Sequence, residues 1–133
     1  MSVRPTETCA RSATWHPTVL VVEDETMIRE LLAETLRQGG CEVVEAGSGD
    51  EALAILRGSP EPDVLVTDVK MPGCVDGLEL AARVRRQLPQ LKVIITSGHA
   101  GACAARGLAD SFFSKPYALE RVLSSVQTLA AAA

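Results

Sequence analysis

Aromatic residues are scarce in this chain: one Trp, one Tyr and two Phe among 133 residues, 3 % of the whole. A core packed to ordinary density must then be built from Val, Leu, Ile and Ala, within an apolar content of 47 %. Long apolar runs are missing too. None approaches the ~20 residues of a membrane span, and residues 1–17 hold no apolar stretch of the kind that marks a secretory signal. Basic charge is not in excess. Thirteen Lys and Arg face seventeen Asp and Glu, a net charge of −4, which removes the footprint expected of a nucleic-acid binder. Paired cysteines are also absent: Cys9, Cys41, Cys74 and Cys103 are scattered, with no C-x-x-C spacing. This argues against a disulfide framework or zinc site and for reduced thiols in a cytoplasmic protein with no membrane attachment.

What is present is a regular alternation, within a length that suits one domain. Residues 1–17 show no periodicity and read as a flexible leader. From Thr18 the pattern begins. Val19–Val22 is a short β-branched apolar run, which predicts a strand buried on both faces. Met27, Ile28, Leu31, Leu32, Thr35 and Leu36 follow at helical spacing up to Gly39-Gly40. Glu42–Ala46 predicts a second strand. Ser48 to Glu51 reads as a capping box opening a helix from Asp50 to about Arg57, with Leu53, Ile55 and Leu56 apolar. Asp63–Thr67 predicts a third strand. Asp76 to Glu79 is another capping box, and its helix carries Leu78, Ala81, Ala82, Val84 and Leu88 and stops before Pro89. Leu91–Thr96 and Ser111–Ser114 predict strands four and five. Between them, 100–108 reads as at best a short, weak fourth helix. A last helix presents Leu119, Val122, Leu123, Val126 and Leu129. Strands alternating with helices imply an α/β, doubly wound parallel sheet of five strands with helices on both faces. Ligands of such sheets bind beyond the carboxyl ends of the strands.

At those ends stand Glu23 and Asp24, then Asp68, then Thr96-Ser97-Gly98, then Lys115-Pro116. Taken singly, each has an ordinary explanation: a helix N-terminus for Asp24 or Glu25, a turn for Ser97, a solvated charge for Lys115. Together they place three acids, a hydroxyl and an amine on one sheet edge. Oxygen ligands of this kind suit Mg2+, which uses few carboxylates and binds phosphate oxygens. A carboxylate beside such an ion can attack phosphorus and form an acyl phosphate, with a lysine ammonium offsetting the charge in transfer.

In VVEDE, VTDVKMPG, ITSGH and FFSKP, in that order, residues 18–129 resemble the receiver domain of two-component response regulators, and the chemotaxis regulators in particular. The resemblance implies a flavodoxin-like sheet of order 2-1-3-4-5 and a receiver spanning 18–130. It implies Asp68 as phosphoacceptor and a Mg2+ site made of Glu23, Asp24, Asp68 and the Lys70 carbonyl. Ser97 and Lys115 would contact the phosphoryl group, Ser97 and Phe112 would act in switching, and the Lys115–Pro116 bond would be cis. The implied partners are a histidine kinase or phosphotransfer protein and a downstream protein, with no nucleic acid. The chain would be a regulator and not an enzyme, either alone or as a receiver segment of a hybrid kinase.

The chain also departs from the family pattern. Glu23 stands where Asp is commoner, and the loop MPGCVDG is one residue longer. The 18-residue interval from Ser97 to Lys115 is short, so the fourth helix should be short or mobile. Lys70 and His99 lie two residues after Asp68 and Ser97, positions that influence phosphoryl lifetime in the family. Other functions fit less well. An aspartyl-nucleophile phosphatase needs a second Asp where Lys70 stands, and a flavodoxin-like phosphate loop would not read Glu-Asp-Glu.

Overall fold

A computed structural model describes residues 16–58, 61–71, 73–98 and 107–132. Five short strands form its centre: β1 (Thr18–Val22), β2 (Glu42–Ala46), β3 (Val64–Asp68), β4 (Lys92–Ser97) and β5 (Ser111–Ser114). They pair in parallel in the order β2-β1-β3-β4-β5. Four helices are described: α1 (Thr26–Gln38), α2 (Gly49–Gly58), α3 (Gly77–Gln87) and α4 (Leu119–Ala131).

The β-branched runs make this sheet because both of its faces are covered, so residues of either parity along a strand are apolar. Val19, Val21, Val64, Val66 and Ile94 face α1 and α4, where they meet Leu32, Leu36, Val122 and Val126. Leu20, Val22, Leu65, Val93 and Ile95 face α2 and α3, where they meet Leu53, Leu80 and Val84. Each fully buried Leu or Ile contributes roughly 2 kcal/mol by its removal from water. Two aliphatic layers therefore replace the aromatic core that the composition denies.

Local signals set the helix starts. The Asp76 carboxylate accepts the Glu79 N–H at 2.9 Å, and Ser48 Oγ accepts the Glu51 N–H at 3.1 Å. The second box is offset, since Glu51 Oε1 accepts from the Gly47 N–H at 2.8 Å where a reciprocal box would use Ser48.

Two sequence expectations need correction. Met27 and Leu31 fit the apolar spacing of α1 yet are 76 % and 56 % exposed, while Leu32, Ala33 and Leu36 are buried. The helix turns a face about one residue away from the one that the spacing suggested. The sequence pattern ends strands three and four at Thr67 and Thr96. The ladder runs one residue further, pairing Asp68 with Thr96 and Ser97 with Ser114, because backbone pairing does not depend on the side chain being apolar.

The expected fourth helix, 100–108, lies outside the described residues except for Gly107 and Leu108, and His99, Cys9 and Cys103 lie outside them as well. The chain enters β5 under firm anchorage. Asp110 Oδ2 accepts the Val93 N–H at 2.8 Å and lies 2.9 Å from the Arg85 guanidinium, which also donates to the Leu108 carbonyl. Of the expected leader only His16 and Pro17 are described. The Pro17 carbonyl accepts from the Glu42 N–H, and His16 Nδ1 lies 2.9 Å from the Gly40 carbonyl oxygen. Among the described residues Cys41 and Cys74 are free thiols, and no helix is long and apolar enough to cross a membrane.

Candidate functional site

From β1 the chain passes to β2 on one side and then returns across the sheet to β3, so a crevice opens beyond the carboxyl ends of β1 and β3. Glu23 and Asp24 leave β1 on one side of it, and Asp68 closes β3 on the other. Facing oxygens of these three carboxylates lie within 4.8 Å of one another. Asp24 is exposed, whereas Glu23 and Asp68 are only 3 % and 8 % exposed.

The lysine predicted for this edge completes the cluster. Lys115 donates its backbone N–H to the Ser97 carbonyl at 2.8 Å, which brings the turn after β5 back over β4. Its Nζ then lies 2.9 Å from Glu23 Oε1 and 3.1 Å from Asp68 Oδ2. The Lys115–Pro116 peptide bond is cis. Burial pushes the Glu23 carboxyl above its ordinary pKa, and hydrogen bonds from Lys115 and the Glu25 N–H offset only part of that rise. Burial alone would lower Lys115, but its bonds to Glu23 and Asp68 and their charges outweigh it, so the ammonium is held more firmly than usual.

Both oxygens of each buried acid have partners. Glu23 Oε2 accepts the Glu25 N–H at 3.1 Å, and Asp68 Oδ1 accepts the Val69 N–H at 2.8 Å. Three carboxylates against one ammonium still leave an excess of negative charge. Every donor is a hard oxygen, which suits Mg2+ and not a thiolate- or imidazole-preferring metal. Lys70 is exposed and lines a shallow depression with Asp24, Met71 and Asp76, so it sits at the mouth of the crevice. Ser97 is buried at the end of β4, the strand beside β3. Phe112 is half-buried and packs against the α2–α3 layer of the core.

Two residues that the sequence reading did not single out shape this edge. A side chain at Gly77 would drive its Cβ into the Asp68 carbonyl oxygen, so α3 can begin against the acid strand only without one. Arg29 donates from Nη1 to the Glu23 carbonyl at 2.9 Å and from Nε to Glu45 Oε1 at 3.3 Å. A basic residue in the first turn of a helix, against the helix dipole, was the available signal.

The family model for the response regulator receiver domain matches residues 19–127. The sensor kinase CckA of Brucella abortus is 39 % identical over an alignment of 117 positions that covers 84 % of this chain and 12 % of that protein. The transcriptional activator protein ExaE of Pseudomonas putida is 39 % identical over an alignment of 119 positions that covers 85 % of this chain and 55 % of that protein. The chain thus spans about half, or much less, of the length of these relatives. Among solved structures, the response regulator TrrA of Thermotoga maritima in complex with Mg2+ and BeF superposes with a TM-score of 0.77 at 31 % identity, covering 85 % of this chain and 98 % of that one. With the match running from β1 into α4, this chain belongs to the response regulator receiver domain family.

Proposed function

We propose that this chain accepts a phosphoryl group on Asp68 from a phosphohistidine of a histidine kinase or phosphotransfer protein. The observation that carries the reading is the junction of Glu23, Asp68 and Lys115 through one ammonium at the mouth of the β1–β3 crevice, with Asp24 beside it. Glu23, Asp24, Asp68 and the Lys70 carbonyl would hold Mg2+, which supplies charge neutralisation for the transferring phosphoryl group.

The chain's own groups then have distinct tasks. An Asp68 oxygen attacks phosphorus, forming a P–O bond as the P–N bond to the donor imidazole breaks. The products are an aspartyl phosphate and a free histidine. The Val69 N–H and Lys115 hold the carboxylate in place beforehand. Lys115 exchanges part of its contact with Asp68 for a phosphoryl oxygen, and the Ser97 hydroxyl on the next strand takes another. The new charge biases a face that includes Ser97 and Phe112 toward a downstream protein. In this reading the chain is regulatory and works in the cytoplasm through protein partners without contacting nucleic acid, as its net charge of −4 favours.

The likeness to CckA, named a sensor kinase, favours a second reading of the same chemistry, in which the receiver serves within a hybrid kinase.

Incubation with a small acyl-phosphate donor and Mg2+, followed by intact mass measurement, tests the reading. A single adduct of about 80 Da is expected, absent without Mg2+ and absent in Asp68→Asn. An unmodified wild-type mass, or an adduct that survives Asp68→Asn, overturns it.

A further inference from the structure

Arg29 is the fourth residue of α1, close to the positive end of the helix dipole, where a cation is unfavourable. Its side chain is only 19 % exposed. Something specific holds it there. Its guanidinium reaches back over the start of the helix and donates to the Glu23 carbonyl at 2.9 Å. That carbonyl belongs to the peptide joining Glu23 to Asp24, so its direction sets how the two acids diverge from the end of β1. The other edge of the guanidinium meets Glu45 Oε1 on β2 at 3.3 Å. Nη1 also lies so close to Gly47 that a Cβ there would approach it to 3.3 Å. Glu45 is fixed in turn by Arg37, whose Nη1 is 3.2 Å from its second oxygen. A chain of contacts therefore runs from edge strand β2 through Arg29 to the backbone between two carboxylates of the crevice.

We propose that Arg29 is a positioning residue for the cation seat: it fixes the Glu23–Asp24 peptide so that both carboxylates face Asp68, and Glu45 anchors it to the sheet. This rests on the receiver reading and adds to it a residue that touches neither the cation nor the phosphoryl group. A rigid fork is needed because one group must bond a carbonyl and a carboxylate in two fixed directions, which a lysine ammonium cannot reproduce. Outer partners of this kind are worth about ten- to a hundredfold in metal affinity.

Charge and positioning make opposite predictions, which gives the test its power. If Arg29 acted only through its charge, removing it would strengthen the attraction of a divalent cation to the acids, and Lys would replace it without effect. As a positioning residue, both Arg29→Lys and Arg29→Met weaken binding.

The experiment titrates Mg2+ into the metal-free full chain and follows backbone amide resonances of Asp24 and Val69. Urea midpoints are measured in parallel. Arg29→Lys and Arg29→Met are expected to raise the Mg2+ dissociation constant by about ten- to a hundredfold, and Glu45→Gln to raise it less. Phosphoryl uptake by Arg29→Lys is expected to recover at saturating Mg2+, which a general defect in folding would not allow. Arg29→Lys binding Mg2+ like wild type, or Arg29→Met binding it more tightly, overturns the proposal and leaves the receiver reading standing. Should Arg29→Met not fold, Arg29→Lys and Glu45→Gln decide the matter alone. A wild-type chain that takes up no Mg2+ overturns the receiver reading and this proposal with it.

Discussion

Glu23 shows how burial and pairing compete at a single residue. Its carboxylate is almost wholly removed from water beside Asp68, and the Lys115 ammonium and the Glu25 N–H offset part of the cost. Cys41 is the simpler case, since burial alone pushes its thiol above the ordinary value. Its folded pKa therefore exceeds its unfolded one. The stability that the neutral thiol contributes is complete below the unfolded value of about 8.5 and is lost as pH rises through the raised folded value. Two outcomes are expected. Peptide-mapped alkylation of the native protein at pH 8 modifies the exposed Cys74 and spares Cys41 until the chain unfolds. The stability difference between wild type and Cys41→Val, read from urea midpoints, narrows or changes sign above about pH 8.5.

Elements are fitted to one another at points where a side chain has no room. The start of α3 lies against the last residue of β3, with the Gly77 N–H donating to the Val69 carbonyl at 2.8 Å. Because a Cβ at Gly77 meets backbone, which cannot swing aside, Gly77→Ala must move α3 or β3. A loss of about 1–3 kcal/mol is expected, measured by urea denaturation. Phosphoryl uptake should fall with it, since the displaced strand carries Asp68. Wild-type stability in Gly77→Ala would show that this contact is slack. The same fit explains a limit of pattern reading. Helical spacing in α1 admitted Met27 and Leu31 as readily as Leu32 and Leu36, and only the way the helix lies across β1 and β2 chose between them.

At the scale of the whole molecule the site is a store of electrostatic repulsion held by the folded chain. Three carboxylates converge only when β1 and β3 are paired, so a divalent cation seated among them would bind the folded state and not the unfolded one. Mg2+ is therefore expected to raise the melting temperature with a logarithmic dependence on its concentration, worth about 2.7 kcal/mol at a hundred times the dissociation constant. Asp24→Asn should lose this dependence and, having one fewer clustered charge, should melt above wild type when metal is absent. Calorimetry with and without Mg2+ checks both parts. A melting temperature indifferent to Mg2+ in the wild type would count against a cation seat at the crevice.

The sequence by itself determined the succession of the described elements and which polar side chains gather at one sheet edge. Both are local matters: β-branched runs too short for helices, capping residues three apart, and acids placed just beyond apolar strands. Asp68, Glu23, Asp24, Ser97 and Lys115 were legible for that reason, because strand polarity in a parallel α/β sheet sends every carboxyl end to one edge. Tertiary structure alone decided what depends on distance between segments remote in the chain. It set the bond from Lys115 to Glu23 and Asp68, the face that α1 buries, the close approach of β3 that leaves no room for a side chain at Gly77 and the reach of Arg29 from α1 to Glu45 on β2. No spacing rule encodes those contacts, since their partners meet only after the sheet has formed and the helices have settled on it.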